Sequence, residues 1–214
     1  GVECQVENVQ VLLGPGVNIK RSPLGGRNFE YFSQDPLHAG VLGAAWVNGV
    51  QSQGVGTSLK HFALNNQEHD RMRSSSDVDP RPLREIYLRS FERVVRDAQP
   101  WTVMCSYNRY NGIQVAHDPF LLTRVLREEW GFEGLVVSDW GAVVDRVQSV
   151  AAGLDLQMPV GDVTSDAAVV EAIADGRLAP EALDAVAGRM AKLARTATAA
   201  HRDGLVFDAD AHHA

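Results

Sequence analysis

Three polar pairs in this chain each close an apolar run. Lys60-His61 follows "VGTSL" (55–59), Tyr107-Asn108 follows "TVMCS" (102–106), and Asp139-Trp140 follows "GLVVS" (134–138). A carboxylate at the end of a buried apolar run is costly unless something nearby uses or satisfies it, so Asp139 needs a purpose. A Lys, a His, a Tyr, an Asp and a Trp brought together would offer hydrogen-bond donors and acceptors beside a flat apolar face. That combination suits a neutral, hydroxyl-rich ligand such as a sugar ring. Acyl transfer lacks support, because no Ser sits in a GxSxG elbow and His61 has no obvious nucleophilic Ser or Cys partner. Each residue also has a plainer reading. Asp139 could cap a helix beginning near Val143, Lys60 could pair with a neighbouring acid, His61 could be a satisfied core histidine, and Trp140 could be packing. Their repeated placement after apolar runs favours a site.

The elements that must position these residues follow from the periodicity. Strands are expected at 9–13 ("VQVLL"), 55–59, 102–106, 134–138 and 154–158 ("LDLQM"), the last stopping at Pro159. Helices are expected over 38–53, 80–97, from Asp118-Pro119 to Trp130, over 167–175 with Gly176 as C-cap, and over 180–202. Asp118-Pro119 reads as an N-cap followed by a first-turn proline. Apolar strands alternating with helices imply an α/β fold with parallel strands and outer helices. Ligands in such folds gather at the C-terminal ends of the strands, where the three polar pairs fall. Five strands are too few to close an eight-stranded barrel of roughly 250 residues. An open doubly wound sheet or a barrel missing pieces remains. No glycine-rich phosphate loop follows any strand, so nucleotide binding has no support.

Composition narrows the partners. The 214 residues carry a net charge of −7, with 45% hydrophobic and 22% charged residues. An acidic balance without a basic stripe argues against nucleic acid. No apolar run approaches membrane-spanning length. Cys4 and Cys105 lie in unlike contexts, form no CxxC or Cys/His cluster, and read as free thiols. No metal or cofactor is implied. The opening "GVECQVENVQ" has neither the basic start nor the apolar stretch of a signal peptide.

Four ordered motifs make the chain recognisable: "GPGVNIKRSPLGGRNFEYFSQDP" (14–36), "KHFALNNQEHDR" (60–71), "MCSYNRYNG" (104–112) and "GFEGLVVSDWGA" (131–142). Together they resemble glycoside hydrolase family 3, in its β-glucosidase branch, over nearly the whole chain. The resemblance implies a (β/α)8-like barrel, here incomplete, followed by an α/β sandwich domain, and hydrolysis of terminal β-linked sugars with retention of configuration. It implies that Asp139 is the nucleophile that forms a glycosyl-enzyme. Arg27, Lys60, His61 and Arg71 would grip sugar hydroxyls, Tyr107 would hydrogen-bond near the nucleophile, and Trp140 would wall the subsite, with Met104 a lesser candidate. The family's N-acetylglucosaminidase branch carries "KHFPGHG" where this chain has "KHFALNN", which disfavours that branch. The acid/base Glu would come from the sandwich domain. Glu68 and Asp70 read instead as partners of Arg71 or Arg73.

The resemblance also implies that two further strands, one bearing a sugar-binding Asp, precede residue 1. Residues 1–203 would then be a partial barrel domain, and 204–214 would begin a linker toward the absent sandwich domain, the partner of this chain in one parent protein. Two other functions stay open on the residues alone: a Schiff-base aldolase using Lys60, and a non-catalytic sugar-binding module.

Overall fold

The computed structural model describes residues 1–213. Among the described residues seven short strands are present: β1 (Val11–Leu12), β2 (Gly56–Phe62), β3 (Ser75–Ser76), β4 (Thr102–Cys105), β5 (Arg109–Tyr110), β6 (Ile113–Gln114) and β7 (Leu135–Ser138). The order β1-β2-β4-β7 makes a four-stranded sheet in which every pairing is parallel. A second, small sheet joins β3, β5 and β6. The helices are α1 (Val2–Val6), α2 (Pro36–Gln51), α3 (Pro80–Pro82), α4 (Arg89–Ala98), α5 (Arg146–Ala152), α6 (Val163–Ala174), α7 (Pro180–Ala200) and α8 (Ala209–His213). Two π-helical stretches, Leu83–Tyr87 and Phe120–Glu129, interrupt the series. The result is an α/β fold with a parallel sheet and flanking helices, as expected.

Both faces of the central sheet are covered, which accounts for the burial of every residue of β4 and β7 and of all of β2 except Lys60. Val103, Cys105 and Val136 join the main core with Phe91 and Val94 of α4 and Leu121, Leu122, Val125 and Leu126 of the second π-helix. Their neighbours Met104, Leu135 and Val137 face the other way, under Leu156, Met158 and the α7 residues Met190 and Leu193. The alternation follows from the two-residue period of a strand. Helix α2 opens at Pro36, where the Asp35 carboxylate accepts from the amides of Leu37 and His38. Its small residues let it lie close on the core, and a Cβ at Gly43 would stand 2.8 Å from Val17 and 2.9 Å from Val94.

The segment 154–158 is not a strand; only Leu156 bridges to Val137. The Asp155 side chain accepts from the Val136 amide at 2.7 Å, the hydrogen that a ladder carbonyl would have taken. Asp155 is also held by Arg127 at 2.7 Å and by Arg189 of α7 at 2.6 Å. The first strand shrinks to Val11–Leu12 because the Val9 amide donates to Cys4 O instead. The expected helix 80–97 is broken into α3, a π-turn closed by Leu88 N donating to Leu83 O, and α4. The expected helix up to Trp130 is wound as a π-helix, with Trp130 N donating to Val125 O. Asp118 does accept from the Phe120 amide, as its placement before Pro119 suggests. Helix α6 starts four residues before the expected 167, because Asp162 caps it at Ser165 N.

Candidate active site

The site is built at the C-terminal ends of β2, β4 and β7. A regular strand would send Lys60 and His61 to opposite faces, but the pairing of β2 with β4 shifts register between Leu59 and Phe62, and both side chains reach the same cluster. The His61 backbone is clamped by buried Asn18, whose Oδ1 accepts from His61 N at 2.7 Å and whose Nδ2 donates to His61 O at 3.0 Å. Lys60 N donates to Pro15 O, and Val17 N donates to Lys60 O, so the 14–18 segment runs along β2 as an extra edge.

Asp139 follows β7 on a loop that is tied down on three sides. Its amide donates to Cys105 O at 3.2 Å, the Ala142 amide donates to Asp139 O at 3.0 Å, and Gly141 N donates to Met158 O at 2.8 Å. The Trp140 amide donates to Asp139 Oδ1 at 2.8 Å. No helix begins near Val143; α5 starts at Arg146 and is capped by Asp145, so Asp139 is not an N-cap. Asp139 is 7% exposed and its Oδ2 is buried without a hydrogen-bond partner. An oxygen left in that state costs about 1–3 kcal/mol, and His61 Nε2 stands 3.8 Å from it.

Cations and aromatic groups lie around the His61–Asp139 pair. Arg27 and Lys60 share one carboxylate: Arg27 Nη2 lies 2.6 Å from Glu30 Oε2 and Lys60 Nζ lies 2.8 Å from Glu30 Oε1. Burial raises the pKa of Glu30, but the two cations outweigh it and hold the carboxyl below its ordinary range. Arg71 is paired with Glu68 at 2.8 Å and lies over the Tyr107 ring, 4.5 Å from its centroid. Tyr107 Oη donates to Trp140 O at 3.0 Å; burial and the Asp139 carboxylate push its pKa up to about 12. Burial, reinforced by the charges of Arg27, Lys60 and Arg71, presses the His61 pKa down to about 2, so the imidazole is neutral. Trp140 is 40% exposed and leaves an apolar face at the rim.

The seven residues singled out from the sequence therefore gather in one place: Arg27, Lys60, His61, Arg71, Tyr107, Asp139 and Trp140. Met104 does not join them, being buried in the inner cluster beneath Leu156 and Met158. Glu68 and Asp70 are ion-paired, with Arg71 and Arg73 respectively. Four residues escaped the reading of the sequence: Asn18, Glu30, Tyr31 and Asn65. Tyr31 Oη lies 3.0 Å from His61 Nδ1, and Asn65 Nδ2 donates to Tyr31 Oη at 3.1 Å. The available signal was a polar spacing within the same motifs, Glu30 three residues after Arg27 and Asn65 four after His61. Cys4 and Cys105 are free, Cys105 is buried with its thiol pKa pushed up to about 12 by burial, and among the described residues no cluster of acids, His and Cys could hold a metal.

Residues 2–193 match the family described as glycosyl hydrolase family 3 N terminal domain. The chain is 54% identical over 213 residues to thermostable beta-glucosidase B of Acetivibrio thermocellus, covering 100% of this chain and 28% of that protein. It is 57% identical over 211 residues to the exo-alpha-(1->6)-L-arabinopyranosidase of Bifidobacterium breve, covering 98% of this chain and 28% of that one. Among solved structures, a GH3 beta-glucosidase from Bifidobacterium adolescentis superimposes with a TM-score of 0.95 at 56% identity, over 99% of this chain and 31% of that chain. Beta-glucosidase 3B from Thermotoga neapolitana, in complex with glycerol, gives 0.93 at 44% identity over 99% of this chain and 31% of that one. The chain thus spans less than a third of the relatives it matches.

Proposed function

The chain belongs to glycosyl hydrolase family 3, and from that premise we propose that it carries the nucleophile half of a retaining exo-acting β-glycosidase that removes terminal β-linked sugars. The observation that carries the reading is the buried Asp139 Oδ2, free of any hydrogen bond with His61 Nε2 standing 3.8 Å away. In this reading Asp139 attacks the anomeric carbon, the leaving group departs, and water later opens the glycosyl-enzyme. Arg27, Lys60, His61 and Arg71 bind sugar hydroxyls. Trp140 supplies the apolar wall, and Tyr107 steadies the Trp140 carbonyl one residue beyond the attacking group.

A sugar leaving group departs poorly without a proton, and the described residues of the site do not offer one. His61, its pKa pressed down to about 2, is a neutral imidazole and not an acidic imidazolium, and Glu68 and Asp70 are tied to arginines. The general acid is accordingly assigned to a Glu of a further, sandwich domain of the natural protein, with residues 1–203 as the barrel-like domain and 204–214 leading into the linker. The length of the relatives is consistent with such a domain. The pairing of Lys60 with Glu30 speaks against the aldolase reading, since a nucleophilic lysine must shed that partner.

The test is Asp139→Asn in the full-length natural protein, assayed on an aryl β-D-glucoside beside an aryl α-L-arabinopyranoside, because relatives of both names are similar to this chain. A loss of at least ~10⁴-fold in kcat on the better substrate is expected when the covalent route is removed. Near-native kinetics in that variant would overturn the assignment, and sodium borohydride trapping of a carbonyl substrate on Lys60 would revive the aldolase.

A further inference from the structure

His61 is neutral, and a neutral imidazole is either a donor or an acceptor at Nε2, the atom that faces Asp139. Which one it is can be read by following the hydrogen bonds backward from Nδ1. The chain begins at Glu68, whose Oε2 accepts from Arg71 Nη1 at 2.8 Å and whose Oε1 accepts from Asn65 Nδ2 at 3.0 Å. A carboxylate so paired accepts only. Asn65 must therefore turn its amide nitrogen toward Glu68, and the same nitrogen gives its second hydrogen to Tyr31 Oη at 3.1 Å. The opposite amide orientation would press Asn65 Oδ1 against the Glu68 carboxylate. The chosen one leaves Oδ1 buried and unpartnered, the smaller cost of the two.

Tyr31 Oη, having accepted from Asn65, has one proton of its own, and His61 Nδ1 lies 3.0 Å away. If Nδ1 carried a proton instead, two hydrogens would meet on one line, or the hydroxyl hydrogen of a 5% exposed tyrosine would go unused. Burial drives the Tyr31 pKa upward, so the hydroxyl keeps its proton. The far side of the ring gives the same answer independently. A bare Nε2 would aim its lone pair at Asp139 Oδ2 from 3.8 Å, whereas an N–H there is attracted to it. The Tyr31 ring itself is seated by Gly16, where a Cβ would stand 2.8 Å from the ring carbons.

We propose that Glu68, Asn65 and Tyr31 are positioning residues that order protons along one chain and fix His61 as the Nε2–H tautomer, so that a sugar hydroxyl entering beside Asp139 meets a donor and never an acceptor. The functional part of this statement rests on the hydrolase reading above; the tautomer does not. A substrate whose hydroxyl oxygen faces His61 is selected for accepting, which leaves its own proton to go to a carboxylate or to water.

The experiment is a long-range ¹H–¹⁵N correlation spectrum of the full-length protein labelled with [¹⁵N]histidine, without ligand at pH 7. The His61 signals are assigned by their loss in His61→Asn. The expected pattern has a protonated Nε2 and a bare, pyridine-like Nδ1; a protonated Nδ1 in the wild-type protein overturns the proposal. In Tyr31→Phe the tautomers should mix and kcat/KM should fall about fivefold, the worth of one net hydrogen bond. Glu68→Gln, on a partly exposed side chain, frees the Asn65 amide to turn and should shift the His61 pattern the same way. If Glu68→Gln and Tyr31→Phe both keep the wild-type tautomer, the ordering chain is refuted. Because the spectrum needs no substrate, its outcome is separate from that of Asp139→Asn.

Discussion

His61 shows how one side chain couples the site to stability. It is 2% exposed and its folded pKa, about 2, lies below the ordinary 6.5. The unfolded chain therefore binds a proton between those values and the folded chain does not, so the stability tied to a neutral His61 is full above pH 6.5 and falls as the pH drops toward 2. From pH 7 to pH 5 this amounts to at most about 2 kcal/mol. Urea unfolding at the two pH values should show the fall, and His61→Gln should flatten it; an equally steep fall in the variant would remove His61 as the cause. Gly16→Ala should cost about 1–3 kcal/mol by overpacking against the Tyr31 ring, measured by the same unfolding. Lys60, His61 and Asp139 were readable because each follows an apolar run, whereas Arg27 came only from the family resemblance. Glu30, Tyr31 and Asn65 were not readable, since residue types alone do not say that Glu30 and Tyr31 will brace Lys60 and His61 from a turn thirty residues earlier.

At the scale of elements, the parallel strands β4 and β7 were legible as apolar runs at 102–106 and 134–138, whereas β2 was expected to stop at Leu59 and instead runs on through Lys60 and His61 to Phe62. Hydrophobic spacing could not tell the π-winding of Phe120–Glu129 from an ordinary helix, because both bury Leu121, Leu122, Val125 and Leu126. The two-residue strands of the small sheet are too short to show a period at all. The fifth expected strand failed through a single side chain: Asp155 displaces a ladder carbonyl and binds Val136 N, Arg127 and Arg189 together. It thereby joins β7, the second π-helix and α7 through one buried carboxylate. Asp155→Ala should strand two arginines and cost about 3–5 kcal/mol, read as a lowered urea midpoint with an unchanged m-value. A change below about 1 kcal/mol would mean that the three elements are held by apolar packing alone.

For the molecule as a whole, the sheet gathers the polar cluster of His61, Tyr107 and Asp139 at the C-terminal ends of its strands, and the general acid is proposed to come from a further domain. The 214-residue chain purified by itself is expected to leave cellobiose intact. A dinitrophenyl β-glucoside, whose leaving group needs no proton, should still label Asp139 slowly, seen as a mass increase of one glycosyl unit on the peptide that carries it. Efficient cellobiose cleavage by the chain alone would place a complete acid and nucleophile pair within it and restore Glu68 or Asp70 to candidacy. One further consequence lies in Trp140. Of the four tryptophans Trp140 is the exposed one, while Trp46 and Trp101 are half-buried and Trp130 is buried. Trp140 directly follows Asp139, the proposed nucleophile, so under that proposal the protein carries a fluorophore next to its own site. A sugar stacking there strips water from the ring, and the emission should shift to the blue in proportion to the filled fraction. Titration of an inactive Asp139→Asn protein would then read affinity optically, with no turnover and no attached dye.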